Sequence, residues 1–203
     1  MGSAERRRDI LDAAARLFHH YGHAKTTIAD IAREAGVAVG TVYLDFASKE
    51  DIVEELSSNK YVRVLEAMRH AARRSGHSFT ARLTAVLVAR TSTFVLLQSE
   101  GAHARELVHC KADGVRLAHA GFLDDERGFL RQLLEDALEA GEIAPLDARR
   151  TAGLLQRAYA TLSPPWVFEL EPHEAESIAV AMAELVVQGL LPRGRRAPKK
   201  RSR

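Results

Sequence analysis

The sequence predicts an all-α chain, a small three-helix unit of helix-turn-helix layout followed by a larger helical body. Apolar residues recur at helical spacing along every long segment, and no run alternates with the period of two that a strand needs. Breaks fall at turn signals: Gly22, Gly36, Ser75-Gly76, Gly121, Gly141 with Pro145, and Pro164-Pro165.

Ile10, Leu11, Ala14, Leu17, Phe18 and Tyr21 make the apolar stripe of a first helix, with Ser3 placed to cap it and Gly22 to end it. Thr27 caps the next, and Asp30 three residues on is a short-armed capping-box partner. Gly36 supplies the left-handed backbone of a sharp turn, and a second short helix follows through Tyr43. Ser48 caps a long helix running to about Arg74, and Glu50 and Asp51 complement the positive end of its dipole. Another begins near Ser78 and carries Phe79, Leu83, Val86, Leu87, Phe94 and Leu97 on one face. Helices over 101–119, 125–140, 147–163 and 173–190 complete the chain.

The last two are apolar around much of their circumference and rich in small residues. Such a helix is either central in a core or half of an oligomer interface. Late in the chain, after other helices have built a core, the interface reading is preferred, and two such helices meeting their symmetry mates form a four-helix bundle across a twofold axis. Leu155, Tyr159, Leu162, Met182, Leu185, Val186 and Gly189 are the expected contact residues.

The formal net charge of +2 conceals an uneven distribution. Residues 193–203 hold Arg193, Arg195, Arg196, Lys199, Lys200, Arg201 and Arg203 without an acid, which leaves 22 Lys+Arg against 27 Asp+Glu elsewhere. That composition suits a disordered basic arm, which either adds salt-sensitive DNA affinity or is a solvated end. The longest apolar run falls far short of the ~18 residues of a membrane span, and no leader pattern opens the chain. The single cysteine, Cys110, excludes an internal disulfide and suits a reducing compartment. A soluble cytoplasmic protein with no membrane association is expected.

The stretch from Thr26 to Tyr43 carries the function. Two short helices joined at Ala35-Gly36-Val37 match a unit whose second helix enters the major groove of DNA. Gly40 lets that helix approach the groove wall, Thr41 offers a hydroxyl and a methyl to a base edge, and Tyr43 projects a phenol toward phosphate. Lys25, Thr26 and Thr27 sit where helix-terminal amides favour phosphate, and Lys49 does so at the start of the long helix. Ile28, Ile31, Ala32, Val37, Val42 and Phe46 are assigned to the core of the unit.

The string Tyr21-Gly22-(x4)-Thr27-(x3)-Ile31-Ala32-(x2)-Ala35-Gly36-Val37-(x2)-Gly40-Thr41-Val42-Tyr43-(x2)-Phe46-(x)-Ser48-Lys49-Glu50 resembles the N-terminal domain of the TetR family of bacterial transcriptional regulators. The resemblance covers about 5–55; the rest matches only in kind. It implies a DNA-binding domain over 1–50, a ligand-binding and dimerisation domain over 51–192 and a basic tail over 193–203. It further implies a homodimer on a palindromic double-stranded operator, usually as a repressor, released by a small-molecule effector, with no enzymatic activity and no cofactor. The DNA-contacting set is then Lys25, Thr26, Thr27, Ala38, Val39, Gly40, Thr41, Tyr43, Leu44 and Lys49. Three residues depart from the commoner pattern: Ala38 where a serine often caps the reading helix, Val39 where a polar or basic side chain often reads a base, and Asp45, which repels phosphate unless Lys49 or an arginine screens it.

Elsewhere, His109 with Asp113 and Glu106 with Cys110 share helix faces if residues 101–119 are one helix, but no CxxC or HxxxH accompanies them, and no metal site is assigned. Arg90 lies in line with the apolar stripe of its helix. It either faces a cavity, ready for a ligand carboxylate or phosphate, or makes a structural ion pair with an acid such as Glu106 or Glu135. Phe94, Phe122, Tyr159 and Trp166 are candidate pocket walls by residue type, with Phe129 and Phe168 beside them. The competing reading, a helical ligand carrier or enzyme with an incidental N-terminal module, lacks any nucleophile–base pair, phosphate-binding glycine loop or paired metal motif.

Overall fold

The computed structural model describes residues 2–76, 78–100 and 103–191. Among these are eight α-helices and no strand: α1 Ser3–Tyr21, α2 Ile28–Glu34, α3 Val39–Asp45, α4 Lys49–Arg74, α5 Phe79–Gln98, α6 Asp113–Glu139, α7 Ala148–Ala158 and α8 Pro172–Leu190. Short 3-10 turns cover Ala104–Leu107, Ala160–Leu162 and Trp166–Glu169. The basic tail lies outside the described residues.

The starts follow local chemistry. Thr27 accepts from the Asp30 amide while the Asp30 carboxylate accepts from the Thr27 amide, and Ser48 and Asp51 repeat the arrangement at α4. Ser78 and Asp147 cap α5 and α7. Gly36 sits at φ 68°, in the left-handed region the turn between α2 and α3 requires.

The helix boundaries differ from the sequence reading in four places: Gly2 and not Ser3 is the N-cap of α1, α7 ends at Ala158 where the helix was expected to reach 163, and two boundaries change around α6. No break occurs at Gly121, and α6 runs straight through it for 27 residues. An interior glycine weakens a helix by only ~1 kcal/mol relative to alanine, which burial of Val115, Ala118, Phe122, Leu130 and Leu134 on the same helix outweighs. The helix expected over 101–119 is instead the turn Ala104–Leu107 followed by non-helical residues up to Ala112. The shared faces inferred for His109 with Asp113 and Glu106 with Cys110 therefore do not form.

Packing divides the chain unevenly. α4 lies against both α5 and α6, α8 covers α5, and α7 covers α6. One core joins Met68, Phe79, Leu83, Phe94, Phe122, Leu134, Tyr159 and Ala179; a second joins Ile10, Phe18, Ile31, Val42 and Phe46. Ile52, Val53 and Leu56 of α4, with Leu107 and Val115, also belong to the second core. A boundary at residue 50 thus cuts through the first turns of α4, which are part of the N-terminal unit. Among the described glycines the tightest approach is here: a Cβ on Gly114 would fall 2.4 Å from the Glu50 carbonyl oxygen and 2.7 Å from the Glu54 amide nitrogen.

Candidate nucleic-acid interface

α3 has one inward anchor, Val42, which is fully buried. The opposite face presents Val39, Tyr43 and Leu44 to solvent, the last 76% exposed. Gly40 is exposed too, and a Cβ there would meet nothing within 4 Å, so the fold itself makes no demand for glycine. Ala38 is the N-cap and supplies no side-chain bond, as its methyl dictates. Thr41 is half-buried at the rim of this face.

Asp45, at the C-terminal end of α3, is screened by an arginine the sequence reading did not identify. Arg6 of α1 donates Nε to Oδ2 at 2.7 Å and Nη2 to Oδ1 at 3.0 Å. These bonds hold the Asp45 carboxyl below the usual carboxylate range. The fork fixes α1 against the end of α3 and neutralises the one acid on the reading helix. Arg7, next along α1, lies over the Phe46 ring at 4.3 Å and pairs with Glu55. Sequence separations of 39 and 48 residues kept these pairs out of reach of motif reading.

Two of the expected phosphate anchors are committed elsewhere. The Thr26 side chain is only 3% exposed and its hydroxyl donates to the Gly22 carbonyl. Lys49 Nζ donates to the carbonyls of His23 at 2.8 Å and Thr26 at 3.0 Å, so the ammonium ties the α1–α2 loop to the start of α4. Lys25 is exposed, and Thr27 is exposed with its hydroxyl bonded to Asp30 at 2.6 Å. The exposed set on this face is Lys25, Thr27, Ala38, Val39, Gly40, Tyr43 and Leu44, with Thr41 at its edge.

The same loop is held from the other side. Glu106 accepts from the His23 amide at 3.2 Å and contacts the His23 ring at 2.9 Å and the His103 ring at 2.6 Å. Partial burial raises the Glu106 carboxyl, but the bonds from the two histidines outweigh it and hold it below its ordinary value. The loop between α1 and α2 is therefore clamped by α4 below and by the 3-10 turn before α6 above.

Of the expected ligand-binding residues, Arg90, Phe94 and Phe122 meet in the core, with Arg90 over the Phe94 ring at 5.1 Å and the two phenyl rings 5.8 Å apart, while Trp166 stands apart at the surface. Arg90 is buried and pairs with Glu126, not with Glu106 or Glu135, and it also donates to the Leu162 carbonyl and to Ser163 Oγ. Glu126 in turn accepts from Gln156 at 2.7 Å, so the buried charges are satisfied internally. In the core Phe122 stacks on Tyr61 and Phe94 meets Tyr61 edge-on, and the Tyr159 hydroxyl donates to the Ala179 carbonyl. Phe122 also borders a groove of about 170 Å³ between α4 and α6. Trp166 is exposed beside a separate one, lined by Val108, Cys110, His119 and Pro165.

The dimer set divides likewise. Leu155, Tyr159 and Leu162 are buried within the subunit, because α7 turns its apolar face onto α6. Leu185 and Gly189 are exposed, and Met182 and Val186 half-buried, on α8. Leu154, left out of the expected set, is exposed on α7.

Comparison with known proteins gives this geometry a context. Residues 10–56 match the model described as bacterial regulatory proteins, tetR family. An uncharacterised helix-turn-helix-type transcriptional regulator of Bacillus subtilis, YhgD, is 25% identical over 93% of the chain and 98% of its own length. A Bacillus subtilis fatty acid metabolism regulator protein is 23% identical over 89% and 93%. A TetR-family regulator structure from Syntrophomonas wolfei superimposes with a TM-score of 0.71 at 18% identity, covering 95% of this chain and all of that one. The transcriptional regulator FadR of Bacillus subtilis, solved with stearoyl-CoA, gives 0.62 at 25% identity over 90% and 98%.

Proposed function

The chain belongs to the tetR family of bacterial regulatory proteins and is a DNA-binding transcriptional regulator, and from that premise we propose a homodimeric cytoplasmic repressor, without enzymatic activity, whose palindromic operator is released by a small-molecule effector. The observation that supports the reading mode is the outward face of α3. Val39, Gly40, Tyr43 and Leu44 form an exposed, uncharged surface whose glycine has no structural reason to be one. Alanine would favour an exposed helix site by up to ~1 kcal/mol. A glycine there suits close approach of the helix to a groove wall, with apolar contacts to thymine methyls from Val39 and Leu44 and a phosphate bond from Tyr43. Lys25 and Thr27 flank it as phosphate contacts.

The effector response would travel through the clamped loop and the start of α4. Leu107 and Val115 are built into the N-terminal core, and Gly114 presses on the α4 backbone, so a shift of α6 moves the reading heads. Half-sites one helical turn apart tolerate little change in their separation. The stearoyl-CoA bound by FadR of Bacillus subtilis makes long-chain acyl thioesters the first effector class to screen.

A mobility-shift titration of the full chain against its own upstream DNA tests the reading. G40A should keep or slightly raise the melting temperature while weakening operator binding at least about tenfold. Unchanged binding in G40A would remove the close-approach argument. Equal operator affinity of free and effector-saturated dimer at fixed salt would remove the release mechanism.

A further inference from the structure

α4 and α6 run in the same direction along their contact. Gly114 meets Glu50 and Glu54 near the start of both, and Phe122 stacks on Tyr61 further along, with ring centroids 4.9 Å apart. Gly114 and Gly121 are two helical turns apart and share a face of α6. A Cβ on Gly114 would strike the α4 backbone, whereas one on Gly121 would meet nothing within 4 Å. The helices touch at the first glycine and have parted by the second. The groove of about 170 Å³ opens there, floored by Tyr61, Leu65, Ala118 and Phe122. Val62, 49% exposed, and Leu117, 59% exposed, form its apolar walls.

The two ends of this groove are acidic. Glu54 stands at the end nearer the N-terminal unit and Asp125 at the other, and no lysine, arginine or histidine lines the space between them. The neighbouring acids are engaged: Glu50 accepts from the Gly114 amide, Glu55 pairs with Arg7 and Asp124 with Arg127. Among the described residues Glu54 and Asp125 have no ion-pair partner. Asp125 lies three residues beyond Phe122 and so about level with residue 64 of α4. That places the two carboxylates roughly 15 Å apart along the groove, at ~1.5 Å per helical residue. A metal ion holds its oxygen ligands within about 2.6 Å and cannot bridge such a distance. Glycine weakens an exposed helix site relative to alanine, and no contact in the fold requires one at 121, but it keeps the groove open.

We propose that the α4–α6 groove binds an elongated organic dication, an α,ω-diamine whose alkyl chain lies on the apolar floor and whose ammonium groups meet Glu54 and Asp125. With a hydrogen bond of about 3 Å at each end, the nitrogens stand roughly 9–12 Å apart, the reach of about eight methylenes. The proposal rests on the effector reading above and names the chemical class and seat of that effector. An occupant at Glu54 bears on the first turns of α4, whose Ile52 and Val53 pack in the N-terminal core, so it acts where the two parts of the chain are joined. The phosphates of an acyl-CoA have the wrong sign for this rim, so the groove does not seat that class.

Calorimetric titration of the full chain with 1,8-diaminooctane is compared with octylamine, 1,3-diaminopropane and octanedioate. Each exposed ion pair shifts an equilibrium about two- to fivefold, so octylamine, which lacks one end, should bind weaker by that factor. The short 1,3-diaminopropane loses an end and the apolar contacts and should bind at least about tenfold more weakly, and octanedioate should not bind. E54Q/D125N should weaken the diamine by about four- to twenty-five-fold and remove its advantage over octylamine. G121L fills the groove from an exposed site and should abolish binding, while circular dichroism shows a melting temperature kept or raised; if G121L does not fold, E54Q/D125N carries each comparison. E176Q/E184Q on α8 removes the same charge elsewhere and should leave binding unchanged. A chain that takes up no 1,8-diaminooctane, that binds octylamine or octanedioate as well, or that loses as much affinity in E176Q/E184Q as in E54Q/D125N overturns the site. Operator affinity at fixed salt is then measured with and without the diamine in the unaltered chain and in G121L, which shares any effect of the diamine on DNA itself. Binding through Glu54 and Asp125 with the same operator affinity change in both proteins upholds the site and overturns the release reading.

Discussion

Replacing Gly114 by alanine tests how the two parts of the chain are coupled. The added Cβ would lie 2.4 Å from the Glu50 carbonyl oxygen and 2.7 Å from the Glu54 amide, where ordinary contact begins near 3.4 Å. Both neighbours are backbone atoms in the first turns of α4, so no side chain can swing aside, and α6 must withdraw by roughly 1 Å. Withdrawal strains the bond from the Gly114 amide to the Glu50 carboxylate, now 3.0 Å. Overpacking of this kind costs about 1–3 kcal/mol, and the better helix propensity of alanine returns up to ~1 kcal/mol. A net loss of about 1–2 kcal/mol lowers the melting temperature by roughly 2–8 °C in a chain of this length. Gly128→Ala in the same helix is the control: nothing lies within 4 Å of its Cβ, so thermal unfolding by circular dichroism should show a small rise. Because Ile52 and Val53 of the displaced segment pack in the N-terminal core, operator binding by G114A should fall by more than the unfolded fraction explains. A G114A protein that melts at or above the unaltered chain would refute the steric reasoning; one that melts lower but binds DNA normally would refute the coupling.

Other outcomes follow from the buried and paired charges. R90M strands the fully buried Glu126 carboxylate and should cost about 3–5 kcal/mol by chemical denaturation, while R90M/E126L recovers most of it; equal stability of the two would show that the pair is not a unit. Asp45 is held below its ordinary range by Arg6, so its contribution to stability is present at neutral pH and disappears as pH falls through the lowered folded value. R6A should flatten that acid limb in melts between pH 2 and 5 and weaken operator binding at pH 7, since it bares an anion on the reading helix; an unchanged limb would count against the pairing. Burial drives the Tyr61 phenol well above its normal range, so stability should fall once the pH exceeds the ~10 at which an unfolded tyrosine ionises. A Tyr61 phenolate that forms with helicity intact would contradict that burial. A38S gives α3 its missing cap and should stabilise by about 0.5–2 kcal/mol, read as a higher melting temperature.

The N-terminal unit was legible because its information is local. Thr27 with Asp30, Gly36, and Ser48 with Asp51 act within three residues of themselves, and each does what its spacing dictates. Gly121 was misread as a break because a single glycine is a weak signal against the burial of a whole helix face. Leu155, Tyr159 and Leu162 are covered by their own chain, a distinction the sequence does not carry because an apolar helix looks the same whether a neighbour from its own chain or from another covers it.

The sequence by itself determined the all-helical architecture, the helix-turn-helix and the uncharged character of its reading face, since helical period, caps and turn glycines are short-range properties of the backbone. Tertiary structure alone decided which arginine screens Asp45, that Lys49 ties down the α1–α2 loop and Glu106 holds the same loop from the other side, and that Arg90 faces Glu126. Those partners lie between 23 and 83 residues apart, and only the packing angles of the helices bring them together. A charged side chain does not encode its partner; the fold that surrounds it does.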